Sequence, residues 1–265
     1  MLKAKVILLV FLGVSVLGLG LVGLRVWMQA KDHNRILALG GSRLEIVPME
    51  EVWETKEEGK EISLGYMSLW LEPNEIESVR IDNMGYHSIE LQVGVNLGFD
   101  LPFEVKAVEE FMRNYGMTRK QAEEMSEAES FERRKEAFYT QPVSNFDYVR
   151  MRKNEQAHYF NDIAMKSNFA HDVKEVIIFD ADQIQGIYHR GNLDDSMSYI
   201  DIFCRDSRIR QGIYVGSKIG VTEAEVEAKI KRILGSMRYL VEELPGEGEL
   251  AAMVAEAVGR MKNDK

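Results

Sequence analysis

The side chains able to do chemistry are few and dispersed. Five histidines (His33, His87, His158, His171 and His189) and one cysteine, Cys204, are the nitrogen and sulfur groups available as ligands or nucleophiles. His158 and Asp162 stand four apart in a stretch of helical pattern, and His171-Asp172 follow closely. One helical turn brings such a pair onto one face, a spacing that can hold a metal ion. Any polar helix face produces it too, and with no H-E-x-x-H and no C-x-x-C the solvated face is the simpler reading. Cys204 and His189 are the residue types of a nucleophile and its base. Cys204 alternates with Ile200 and Ile202, however, which makes it a small buried hydrophobe on an apolar strand face. Asp180, Asp182, Asp194 and Asp195 fall between β-rich runs, where Asp is ordinary turn chemistry, and no EF-hand spacing accompanies them. No phosphate-cradling glycine loop, G-x-S-x-G or kinase set occurs. The sequence therefore assigns no catalytic, cofactor-binding or metal-ligating residue.

The element that must position everything else is the uncharged run Val6 to Leu24, bracketed by Lys5 and Arg25. At about 1.5 Å per helical residue it approaches the thickness of a bilayer's hydrocarbon core. Lys3 and Lys5 also suit the n-region of a secretory signal peptide, but the h-region of such a signal is normally about 7 to 15 residues long. The small-x-small site Gly18-Leu19-Gly20 is followed by more apolar residues, and no cysteine stands just after the run to carry a lipid. Trp27 stands where an interfacial aromatic belongs. Residues 1–5 thus read as a short cytoplasmic tail and 6–28 as a retained single-pass transmembrane anchor. Residues 29–42 read as a linker or an extension of the helix ending at Gly40-Gly41. Basic residues flank the run on both sides, so the positive-inside rule does not decide its orientation. A five-residue tail is easily kept inside, which places the C-terminal part outside the cytoplasm.

A net charge of -10 and a pI near 5.2 argue against nucleic acid, which requires a concentrated basic face. The densest basic cluster, Arg133-Arg134-Lys135, is flanked by Glu127, Glu129, Glu132 and Glu136 and reads as a solvated helix face. The expected partners are the lipid bilayer, through the N-terminal helix, and a protein.

Residues 43–244 read as a soluble α+β domain, an antiparallel sheet packed with helices in an α/β sandwich-like arrangement, with a helical insertion at 102–168. Arg43 to Val47, Ile62 to Leu71, Val79 to Ile81 and Ile89 to Val93 are expected strands. Within the insertion, a helix after Pro102 carries Val105, Val108, Phe111, Met112 and Tyr115. A second, Arg119 to Tyr139, has few apolar positions and is placed on the surface. A third, Asn154 to Ser167, turns Ala157, Phe160, Ile163 and Ala164 to one side. Glu175 to Phe179, Ile184 to Tyr188, Tyr199 to Cys204 and Gly212 to Val215, joined by short turns, predict an antiparallel meander. A capping box at Thr222 and Glu225 opens a helix whose apolar stripe runs from Val226 to Val241 and covers the meander. Residues 245–265 form a C-terminal amphipathic helix.

The strands of 175–215, followed by Val221-Thr222 and a helix containing Ile233-Leu234-Gly235-Ser236-Met237-Arg238, resemble the end of PsbP-like α/β/α sandwich domains. Such domains occur in secreted and lipid-anchored bacterial proteins. The likeness is one of pattern over the C-terminal third; it carries no diagnostic motif and does not place the insertion. It implies an accessory or binding role without catalytic residues. The function expected is that of a membrane-anchored, extracytoplasmic, non-enzymatic binding or accessory protein. The alternatives are a membrane-tethered, hydrolase-like enzyme whose groups converge only in the fold, and a solute-binding sensor.

Overall fold

The computed structural model describes residues 2–72, 75–81, 87–91, 94–100, 102–104, 127–169, 173–191, 198–205, 209–217, 220–241 and 244–263, with side chains of the first helix from residue 20 onward. The chain divides into two compact units, Met1–Glu45 with Thr140–Asn168, and Ile46–Tyr139 with Phe169–Lys265.

The first unit is helical. Helix α1 runs unbroken over Leu2–Gly40 and closes in a 3-10 turn, Gly41–Glu45. Residues 29–40 are therefore an extension of the helix. The strand expected at Arg43 to Val47 does not form, because the turn tucks Leu44 back under Gly40 and proline stands at position 48. Helix α2, Glu127–Tyr139, belongs to the second unit; after it Asn145–Arg150 and Lys153–Phe169, called α3 and α4, pack on the end of α1. Ile36, Leu44, Tyr148, Tyr159 and Ile163 form their shared core. The face of α4 turned inward carries Tyr159 and Ile163, whereas Phe160 and Ala157, expected on that face, are exposed.

The second unit is built on a large sheet. Its strands are β1 (Met49–Val52), β4 (Ile76–Ile81), β5 (His87–Leu91), β6 (Val95–Phe99), β7 (Phe103–Glu104), β8 (Val173–Asp180), β9 (Ile184–Gly191), β10 (Ser198–Cys204) and β11 (Ile209–Ser217). The order is β1-β8-β9-β10-β11-β6-β5-β4, with β7 alongside β11. The strands β8 to β11 form the expected antiparallel meander. The sheet as a whole is mixed rather than antiparallel, because β1 lies parallel to β8, Met49 opposite Ile177. Their long sequence separation supplies the crossover that parallel neighbours require.

A smaller sheet of β2 (Lys60–Ser63), β3 (Met67–Leu71) and β12 (Arg238–Tyr239) accompanies it. The apolar run expected as one strand, Ile62 to Leu71, is a hairpin, turned at Gly65 with φ of 90°. That conformation is easy for glycine and strained for other residues, so the chain reverses there. Helix α5, Glu223–Gly235, opens at the expected capping box of Thr222 and Glu225. It stops earlier than its apolar stripe suggested: a Cβ at Gly235 would lie 2.7 Å from the Glu54 carbonyl oxygen, and the chain beyond joins the small sheet as β12. Helix α6 spans Glu247–Asn263.

Ile200, Ile202, Ile213 and Val215 of the sheet share one core with Val226, Ile230, Ile233 and Leu234 of α5, Leu69 and Leu71 of β3, and Leu250 and Val254 of α6. Each such side chain contributes about 1.5–3 kcal/mol by leaving water. The opposite sheet face carries Val176, Ile178, Ile187 and Phe203, packed with Phe131 and Phe138 of helix α2 (Glu127–Tyr139). Helix α2 is thus a core helix, correcting the surface placement. The start of the expected helix at Arg119 and the whole of the one carrying Val105 to Tyr115 lie outside the described residues.

Candidate functional site

The polar centre of the second unit sits where strands β9, β10 and β11 meet α2. Asp201 lies mid-strand between Tyr199 and Phe203, on the face turned towards α2, and is 1% exposed. Arg210, from the neighbouring strand, donates through Nε to its Oδ1 at 2.7 Å and through a terminal nitrogen to its Oδ2 at 2.6 Å. Arg134 of α2 donates to Oδ2 at 2.9 Å. Both guanidiniums also lie over the Phe203 ring, at 5.7 and 5.3 Å. This is a buried carboxylate gripped by two cations, one of them bidentate.

Charge and burial fix the state of each member. Burial pushes the Asp201 carboxyl up, but Arg210 and Arg134 outweigh it and hold it below the usual carboxylate range. Beside it, burial lowers His189 to about 4, so this imidazole is neutral near neutral pH. Burial raises Tyr199, helped by the charge of Asp201. Asp100 is also raised, by burial and by the Asp201 charge. On the other side of β11, Gln211 donates to the Tyr66 hydroxyl at 2.5 Å and to the Asp100 carbonyl at 2.8 Å, and accepts from Tyr239 at 3.0 Å. The two networks thus pin β11 from both faces. An anion held by two cations is a poor base, and these groups are closed to solvent. Their chemistry is that of positioning α2 on the sheet.

This cluster joins residues that no local sequence pattern links. Arg134 belongs to the Arg133-Arg134-Lys135 run taken as a solvated face, yet it is 4% exposed. The available signal was its spacing, since Arg134 falls three residues after Phe131 and four before Phe138, on one helix face. Lys135, its neighbour, pairs instead with Glu50 of β1 at 3.1 Å.

The residues that the sequence offered for chemistry are not brought together. His189 stands opposite Tyr199 and Cys204 opposite Ile184, so they are five residues apart along the ladder and on opposite faces. Cys204 does share the face of Ile200 and Ile202, but it lies at the strand end and is partly exposed, not buried. His158 is exposed while Asp162 is buried and accepts from Thr140 at 3.1 Å. Asp180 pairs with Arg205, which also bonds the Ala181 carbonyl at 3.1 Å, so it braces the β8–β9 turn. His171, Asp172, Asp194 and Asp195 lie outside the described residues. No group of three potential metal ligands converges among the described residues.

An open cleft of about 490 Å³ lies between the end of β1 and the outer side of α5. Glu51, Trp53, Glu54, Lys56, Lys231 and Arg232 are among its lining residues. Lys231 bridges Glu51 at 2.8 Å and Glu227 at 2.6 Å, and Arg190 ties Glu227 to Glu175. Lys231 is raised by these carboxylates against the pull of burial, and Glu51 is lowered by Lys231 and the Trp53 indole. The Trp53 ring stacks on Phe179 at 3.7 Å, which anchors the cleft floor to the sheet. Beside it, β1 is the last strand of the sheet, and Val52 at its end is 82% exposed. Comparison with protein-family models, with curated proteins and with solved structures finds no match to this chain.

Proposed function

We propose that this chain is a single-pass membrane protein, its amino terminus inside and its folded part outside the cytoplasm, acting as a non-enzymatic binding or accessory protein through contacts with a protein partner. The observation that carries the membrane reading is the exposure of α1 where its side chains are described. Leu21, Val22, Leu24, Val26, Trp27 and Met28 are 40–68% exposed, all round the helix rather than on one stripe. Exposed apolar surface of that extent calls for a non-aqueous environment. Among the described residues no helix is long and apolar enough to cross a membrane, and most of the run Val6 to Leu24 precedes the described side chains. The reading therefore also draws on the length and lack of charge of that run.

The binding reading is supported by the open end of the sheet. Strand β1 ends the sheet among the described residues, and an edge strand is the usual template for an added strand. The opposite edge, β4, is guarded by a bulge between Ile76 and Ser78 and by the charged residues Glu77 and Arg80. The PsbP-like pattern of the C-terminal third agrees with an accessory role. A second reading, a solute sensor, is favoured by the cleft at Trp53, whose paired charges of both signs suit a small zwitterion.

Carbonate extraction of membranes, followed by intact-mass measurement of the mature chain, tests the anchor. Retention in the pellet with the full N-terminal mass is expected. A soluble product beginning near Leu21 would overturn the reading.

A further inference from the structure

Within the first unit, α4 runs alongside α1 in the same direction, and side-chain contacts fix their relative height. Gln29 bonds Gln156 at 3.3 Å across 127 residues of chain. One turn further on, His33 bonds the Tyr159 hydroxyl at 3.1 Å and Asn145 at 2.6 Å, and it stacks on Tyr148 at 4.4 Å. Asn145 in turn donates to Asn34 at 2.9 Å, and Gln156 to the Tyr148 carbonyl at 2.8 Å. With Gln156 level with Gln29, the start of α4 at Lys153 falls about 4.5 Å nearer the amino-terminal end of α1. That is the level of Arg25 to Trp27.

The segment from Arg150 to Lys153 carries Arg150, Arg152 and Lys153, all exposed. Of the acids close in sequence, Glu155 accepts from the Arg152 backbone amide at 2.6 Å and Asp147 from the Ser144 hydroxyl at 2.5 Å, while Asp32 stands exposed between Lys31 and Arg35. Arg150 lies over the Phe146 ring at 5.0 Å. Arg25, Lys31 and Arg35 are exposed on the facing helix, and Lys31 lies over Trp27 at 5.4 Å. Among the described residues none of these six cations meets a carboxylate in an ion pair. A chain of net charge -10 thus gathers Arg25 and the three cations of 150–153 at one level of α1, none in an ion pair among the described residues, with Lys31 and Arg35 further along the helix. If Leu24 ends the apolar span, the next four or five residues cross the headgroup layer, roughly 5–7 Å deep.

We infer that the 150–153 segment, with Arg25, docks on the phosphate-bearing headgroups of anionic lipids. The inference rests on the membrane reading of α1. Multiply charged basic segments beside a membrane gain attraction with each Lys or Arg, and salt screens that attraction.

The test uses the full chain in lipid nanodiscs, of phosphatidylcholine alone or with about 30% phosphatidylglycerol, and follows amide hydrogen exchange. Amides of 150–156 should exchange about fivefold or more slowly in the anionic discs. That protection should disappear in about 0.5 M salt and in the variant carrying Arg150→Ser, Arg152→Ser and Lys153→Ser. The α4 amides near Tyr159 report that the variant is folded, as exposed sites rarely destabilise. Equal exchange in both discs, with the chain co-eluting with them, would overturn the inference and leave the anchor standing. Protection that is salt-insensitive and equal in both lipids would also overturn it, pointing to contact with a second copy. A chain that does not enter the discs at all overturns the membrane reading first.

Discussion

Asp201 is one carboxylate neutralising two buried guanidiniums, and that inequality sets what substitutions there should do. Asp201→Asn takes a buried negative charge from between Arg134 and Arg210, so a loss of about 3–5 kcal/mol is expected from urea midpoints. Arg134→Met leaves the bidentate Arg210 pair intact and should cost less. The neighbouring His189 gives a pH signature of its own. Its folded value of about 4 lies below the 6.5 of an unperturbed imidazole. Between those values the unfolded chain binds a proton that the folded chain refuses, so stability falls as pH drops from 6.5 to 4, by about 3 kcal/mol in all. Urea titrations of the wild type and His189→Gln across that window should show the slope in the first and its absence in the second. Asp201 adds a further loss below about pH 4, because its lowered carboxyl is protonated only there. None of this was legible from local pattern alone. Asp201 was visible as the polar member of a strand face with Tyr199 and Phe203, and Arg134 as part of a charged run. The two are 67 residues apart, and only the packing of α2 joins them.

At the level of elements, legibility followed the range of the contacts. The meander β8 to β11 and helix α5 declare themselves through alternation and a capping box, because both signals are local. Two misreadings have local causes as well. Apolar residues continue through the β2–β3 turn, so the hairpin has the pattern of one strand, and the stripe of α5 continues past Gly235 because Met237 serves the same core from the connection to β12. The parallel pairing of β1 had no local signal at all. Helix α5 is where single changes should be most readable. Thr222→Ala removes the hydroxyl that accepts from the Glu225 amide and should cost about 1 kcal/mol, seen as a small fall in Tm. Ile230→Asp places an unpaired charge at a fully buried site of the main core, and loss of the cooperative unfolding transition is expected.

For the molecule as a whole, the two units differ in what they borrow from the first 45 residues. The core of the helical unit takes Ile36 and Leu44 from the first 45 residues, whereas among the described residues the core clusters of the sheet unit contain none of them. A chain beginning at Ile46 should keep a cooperative transition for the sheet unit, while residues 140–168 lose their amide protection. Hydrogen exchange on that shortened chain checks both halves of the expectation, and protection persisting at Tyr159 would show that α3 and α4 need no support from α1. The unbroken course of α1 has a mechanical consequence. From Leu24 to Gly40 the helix is a rod of about 24 Å with no glycine or proline inside it to act as a joint. Helices in bilayers tilt by about 20° on average, and a rod of that length turns such a tilt into a sideways sweep of about 8 Å at its far end. If α1 spans a bilayer as proposed, a change in bilayer thickness is delivered to α3 and α4 as motion, with the helix as the lever.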